Sequence, residues 1–146
     1  MINHIIDGIS IKLNQVFGDS YEIYSEDVQQ GLNVPCFFIG FLNSSKVQKL
    51  GTQFFKENFF DIHYFPKGPD SNTEMLNISE QLETEMEYII VNGDIVRGTQ
   101  MNSEIVDGVL HFFVNYNMSM VKVEEPYEPM GELLISGENR GDKNGY

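Results

Sequence analysis

Few residues in this chain can do chemistry, and their spacing limits what each can do. Histidines stand at positions 4, 63 and 111. His4 and Asp7 fall one turn apart in a helical stretch, the spacing of a metal-ligand pair or of an ordinary exposed polar face. Asp61 and His63, two residues apart in a strand-like run, point to the same side. They can form a hydrogen-bonded acid–base pair, or simply the polar residues of a less buried sheet face. His111 lies across from Glu104 if Asp107-Gly108 is a turn, and that cross-strand ion pair requires no active site. The row Glu80, Glu83, Glu87 offers oxygen ligands of the kind Ca²⁺ or Mg²⁺ takes, although solvated helix faces carry such rows routinely. Cys36, the one cysteine, sits in the apolar run Val34-Pro35-Cys36-Phe37-Phe38-Ile39, which suits a buried inert thiol better than a nucleophile. Arg140-Gly141-Asp142 spells an integrin-binding tripeptide, but in a glycine-rich tail it reads as chance.

Recognised catalytic spacings are missing. The chain contains no glycine-rich nucleotide loop, no G-x-S-x-G elbow, and no H-E-x-x-H or C-x-x-C pair. The aromatic-rich stretch 54–65 has almost no basic residues between its rings, so it is not a nucleic-acid platform. The expectation is a protein without catalytic, cofactor-binding or metal residues, built for assembly. A small acid–base enzyme using Asp61 and His63 is the remote alternative.

Composition supports that direction. Nine basic against 22 acidic residues give a net charge of −13, which repels phosphate and argues against specific nucleic-acid or anionic-membrane binding. The apolar runs are too short to span a membrane, and the amino terminus lacks the pattern of a secretory signal. With a single cysteine there is no intrachain disulfide, and the chain is expected to be soluble and made in a reducing cytoplasm. At 146 residues it has the size of one domain. Alanine and tryptophan are absent, and an Ile, Val, Phe-rich interior favours strands.

The elements follow from periodicity. Ile2, Ile5, Ile6, Ile9, Leu13 and Val16 recur at three and four, predicting an amphipathic helix capped by Asn3 and ended by Gly18. Residues 21–24 read as a short strand, 25–31 as a polar connection, and 36–42 as a strand covered on both faces. Residues 43–51 have no strong period and read as a loop or as a hairpin extension leaving the core. In 59–65, Phe60, Ile62 and Tyr64 share one face, with Asp61 and His63 on the other. Ser71-x-x-Glu74 has the form of a capping box opening a second helix, whose stripe Met75, Ile78, Leu82, Met86, Ile89 ends at Asn92-Gly93. A long hairpin follows over 95–123. It folds back at Asp107-Gly108, and its return arm keeps Leu110, Phe112, Val114, Tyr116, Met118 and Met120 apolar at every second position. Such a strand is longer than a domain core needs and hints at partners. Residues 124–146 form an acidic, Pro- and Gly-containing extension, with one possible short strand at 130–136 and a mobile tail from Gly137. The fold class is α+β, a largely antiparallel sheet carrying two helices, with residues 1–123 as a single domain.

Four segments in this order, Ile2-Asn3-His4-Ile5-Ile6-Asp7-Gly8-Ile9, Pro35 to Ile39, Phe60 to Pro66 and Leu110 to Tyr116, resemble a phage tail terminator family found in prophages of Gram-positive bacteria. The resemblance covers about residues 1–123 and lies in core patterns, not in catalytic signatures. It implies a virion protein forming a ring, a homo-hexamer, that caps the head-proximal end of the tail tube and stops its polymerisation. The ring would present a joining surface to the head connector and, in contractile tails, to the last sheath ring. Tube, sheath and connector proteins are the implied partners, and no cofactor is implied. Contacts are expected from Lys46, Val47, Gln48, Lys49 and Leu50, from Phe54 and Phe55, and from Tyr127, Met130, Leu133 and Leu134. Another head–tail neck or completion protein is the nearest alternative.

Overall fold

The computed structural model describes residues 1–25, 31–68, 71–124 and 132–135. Two helices, α1 (Ile2–Phe17) and α2 (Asn72–Glu85), pack on one face of a mostly antiparallel sheet, giving an α+β fold. The strands are β1 (Glu22–Tyr24), β2 (Cys36–Gln48), β3 (Gln53–Phe65), β4 (Tyr88–Val91), β5 (Asp94–Val106), β6 (Val109–Tyr116), β7 (Met118–Glu124) and β8 (Glu132–Ile135). Their order is β1-β2-β3-β6-β5-β4, with β7 also on β3 and β8 on β7. Among these pairings only β1 with β2 is parallel.

The core is what period two and period three-to-four predict. Ile5, Ile9 and Leu13 of α1 and Met75, Ile78 and Leu82 of α2 meet Phe37, Ile39, Phe60, Ile62, Tyr64, Leu110, Phe112, Val114 and Tyr116 from the sheet. Helix α1 also lies against β4 at its one internal glycine. A Cβ on Gly8 would stand 2.6 Å from the carbonyl oxygen of Ile90, so only glycine permits this approach.

Four local expectations need correcting. Helix α2 stops at Glu85, and 88–91 form a strand where the sequence reading continued the helix to Asn92-Gly93. Ile89 fits the helical stripe, but Tyr88-Ile89-Ile90-Val91 buries alternate residues, and β-branched side chains prefer that pleated setting. Asn92-Gly93, with φ of 52° and 84°, is the tight turn from β4 to β5. Glu87 therefore leaves the row with Glu80 and Glu83 and pairs instead with Arg97 at 3.1 Å. Asn3 does not cap α1. Met1 holds that position, and its carbonyl accepts from the amides of His4 and Ile5. Nor does the capping box close: Ser71 caps α2 without a side-chain bond to the helix amides, while its hydroxyl donates to the Gly68 carbonyl and Glu74 accepts from the Tyr64 hydroxyl.

The long hairpin turns at Asp107-Gly108 as expected, both residues at positive φ (52° and 74°). Its return arm is interrupted at Asn117, between β6 and β7. Pairing with β3 nevertheless keeps one register across the interruption, from Tyr64↔Leu110 through Phe59↔Asn115 to Lys56↔Met118 and Gln53↔Val121. Around the gap, the Asn58 amide donates to Asn115 Oδ1 at 2.9 Å and Asn58 Nδ2 donates to the Tyr116 carbonyl at 3.0 Å. Strand β5 follows this line only as far as Gly98↔Tyr116, and β8 occupies the flank farther on, at Val121↔Ile135. Residues 43–51 turn out to be the far end of a hairpin in which β2 and β3 pair out to Gln48↔Phe54, with one register shift between Phe41 and Asn43.

Candidate functional site

The helix-free face of the sheet gathers the polar chemistry. On β3, Asp61 and His63 point away from Phe60, Ile62 and Tyr64, as their alternation predicts. On β6, His111 stands directly opposite His63. Asp61 Oδ2 lies 2.7 Å from His63 Nε2 and 2.9 Å from His111 Nδ1. The Asp61–His63 pair is thus present, but His111 turns its ring toward Asp61, although Glu104 is its neighbour across β5. Asp61 is 7% exposed, and its second oxygen, Oδ1, is buried without a hydrogen-bond partner.

Aromatic rings fix the two imidazoles. Phe38, opposite His63 on β2, stacks on that ring with centroids 5.5 Å apart, and Phe113 stacks on His111 at 6.2 Å. The imidazoles themselves meet edge to face at 4.5 Å. Gly40 stands opposite Asp61, so β2 presents no side chain at that register position. Phe38, Phe65 and Phe113 remain half-buried, so this face is apolar around a polar centre.

The other sequence candidates lie elsewhere. His4 meets Asn92 at 3.2 Å, and the one cluster of three or more metal-capable side chains among the described residues is Asp61, His63 and His111. Cys36 is buried, and burial, followed by the charge of Glu22, pushes its thiol up from the ordinary range. The thiolate is thereby disfavoured. Arg140-Gly141-Asp142 lies outside the described residues.

The expected contact residues group at the tip of the β2–β3 hairpin. Lys46, Val47, Gln48 and Lys49 are exposed, and Leu50, at the turn, is 88% exposed. Lys46 Nζ lies 4.3 Å above the Phe54 ring and Lys49 Nζ 4.5 Å above Phe55. Phe54 itself is buried and paired with Met120, whereas Phe55 is half-buried. Leu133 and Leu134 lie on β8, opposite Val123 and Lys122. Tyr127 and Met130 lie outside the described residues.

Comparison with known families decides the identity. Residues 4–128 match the model of a phage tail terminator protein family. The chain belongs to the phage tail terminator family. It is thus a structural component of the virion tail that contacts other tail or head proteins. No curated protein matches the sequence. Among the described residues, no helix of this tail terminator is long and apolar enough to cross a membrane.

The structure also reveals an apolar surface that the sequence reading missed by assigning 88–91 to a helix. Tyr88, Ile90 and Ile95 are 49%, 64% and 73% exposed, and Ile90 and Ile95 face each other across the β4–β5 hairpin. Asn-Gly after a β-branched run was the signal that would have found it.

Proposed function

We propose that this tail terminator forms a homo-hexameric ring that caps the head-proximal end of the tail tube, ends tube polymerisation and offers the joining surface for the head connector or the last sheath ring. The observation that carries this reading is the family match over residues 4–128. Two features of the chain support it physically. A head-to-tail ring needs two different complementary patches on each subunit. The hairpin tip around Leu50 and the Tyr88, Ile90, Ile95 face are two separate surfaces with exposed apolar side chains, and β3, β6 and β5 separate β2 from β4 in the sheet order. The charge of −13 on each subunit gives an acidic ring through which DNA slides without adhering.

Residues 1–123 act in this reading as the ring-forming domain, and 124–146 as an extension that docks on a neighbour or partner. Native mass spectrometry, alone and with short tubes of the cognate tube protein, tests the proposal. A six-subunit species bound to tube ends and tubes of limited length are expected. A monomer that leaves tube growth unchecked refutes the ring. A pull-down that recovers connector protein but no tube protein instead assigns the chain to the neck.

A further inference from the structure

We propose that Asp61, His63 and His111 form a binding site for a divalent first-row transition metal, Zn²⁺ foremost, which pins β3 to β6 on the helix-free face of the sheet. The candidate donor atoms of the three side chains all lie within 4.8 Å of one another. Two imidazole nitrogens and a carboxylate oxygen are a donor set for such metals, whereas Ca²⁺ and Mg²⁺ take oxygen. Ligands about 2.0–2.2 Å from a tetrahedral Zn²⁺ stand somewhat farther apart than the 2.7 and 2.9 Å contacts here. Small side-chain rotations open that space.

The arrangement of the carboxylate argues for a shared cation over hydrogen bonding alone. A carboxylate has two oxygens with which to hold two imidazoles. Here both rings converge on Oδ2, while Oδ1 stays buried and unpaired in a residue only 7% exposed. An unpaired buried acceptor is costly, and a cation held by both carboxylate oxygens gives Oδ1 as well as Oδ2 a positive partner. The supporting shell is in place as well. Phe38 and Phe113 stack on the imidazoles and fix their planes. The two histidine side chains are 24% and 23% exposed, which gives a metal an entry path and leaves a fourth position facing outward for water.

The test uses the full chain, stripped with a chelator and dialysed. Calorimetric titration with Zn²⁺ should give one equivalent per chain, Co²⁺ should produce visible ligand-field absorption, and Zn²⁺ should raise the melting temperature. Asp61→Asn and His111→Gln should each weaken binding at least about ten-fold, while His4→Gln leaves it unchanged. In the unaltered protein, the ring resonances of His63 and His111 should shift with Zn²⁺ and that of His4 should not, a readout independent of whether any variant folds. Absence of stoichiometric binding overturns the proposal. So does binding that survives Asp61→Asn and His111→Gln, or binding that shifts neither ring, because the metal would then sit on the acidic surface elsewhere.

Discussion

Tyr116 carries its hydroxyl into the interior, where it donates to the Met86 carbonyl at 2.7 Å. Burial pushes this phenol well above its ordinary value of 10.0. The unfolded chain therefore loses the Tyr116 proton first as pH rises. The stabilisation is complete below about pH 10 and is lost above it, at about 1.4 kcal/mol per pH unit for one proton. Tyr116→Phe should cost about 1 kcal/mol at neutral pH through the lost hydrogen bond and should flatten the alkaline decline by that slope. Urea melts of both proteins across the alkaline range would check it. Equal slopes would mean that Tyr116 is not the titrating group. The Asn58–Asn115 pair gives a second residue-scale prediction. Both side chains are fully buried, and together they make the hydrogen bonds beside the Asn117 interruption. Asn115→Ala should lose about 1–3 kcal/mol by leaving the Asn58 amide unpaired, measured as a lower urea midpoint.

At the scale of elements, the α1–β4 contact makes a prediction whose sign is informative. In an exposed helix, Gly→Ala stabilises by about 1 kcal/mol. At Gly8 the added methyl meets the Ile90 carbonyl at 2.6 Å, and overpacking of this kind costs about 1–3 kcal/mol. Gly8→Ala should therefore lower the melting temperature. A rise would show that α1 does not lie this close to β4. The same contact explains the limits of the sequence reading. Strands with one buried face, α1, and the Asp107-Gly108 turn were legible because each depends on local spacing. Strand β4 was misassigned because Ile89 satisfies the helical stripe as well as the pleat; the Asn92-Gly93 turn after it and the tertiary neighbour Gly8 are what separate the two. Asp61 with His63 was legible as an i, i+2 pair. That His111 joins them was not, because the β3–β6 register brings together residues 48 positions apart that share no local pattern.

For the whole molecule, the question is whether the surfaces that stability does not use are used in assembly. Leu50 is 88% exposed and Ile95 73%, so replacing either with a charged residue removes little buried area from the monomer, and surface substitutions of this kind fall within about 0.5 kcal/mol. An interface built on the same residues responds differently, since a charge buried there without a partner costs several kcal/mol. If the proposed ring is built on these surfaces, Leu50→Asp and Ile95→Asp should each leave the melting temperature of the isolated chain nearly unchanged while abolishing the six-subunit species and letting tubes grow past their normal length. If these are the two halves of one head-to-tail contact, mixing the variants restores a single productive junction per pair and cannot close a ring. The mixture should yield dimers by native mass spectrometry and no closed hexamer. Two copies of one self-complementary patch would behave otherwise: the variant altered elsewhere would dimerise with itself, and no mixed dimer containing both variants would appear. The mixture therefore distinguishes a cyclic ring contact from simple twofold dimerisation.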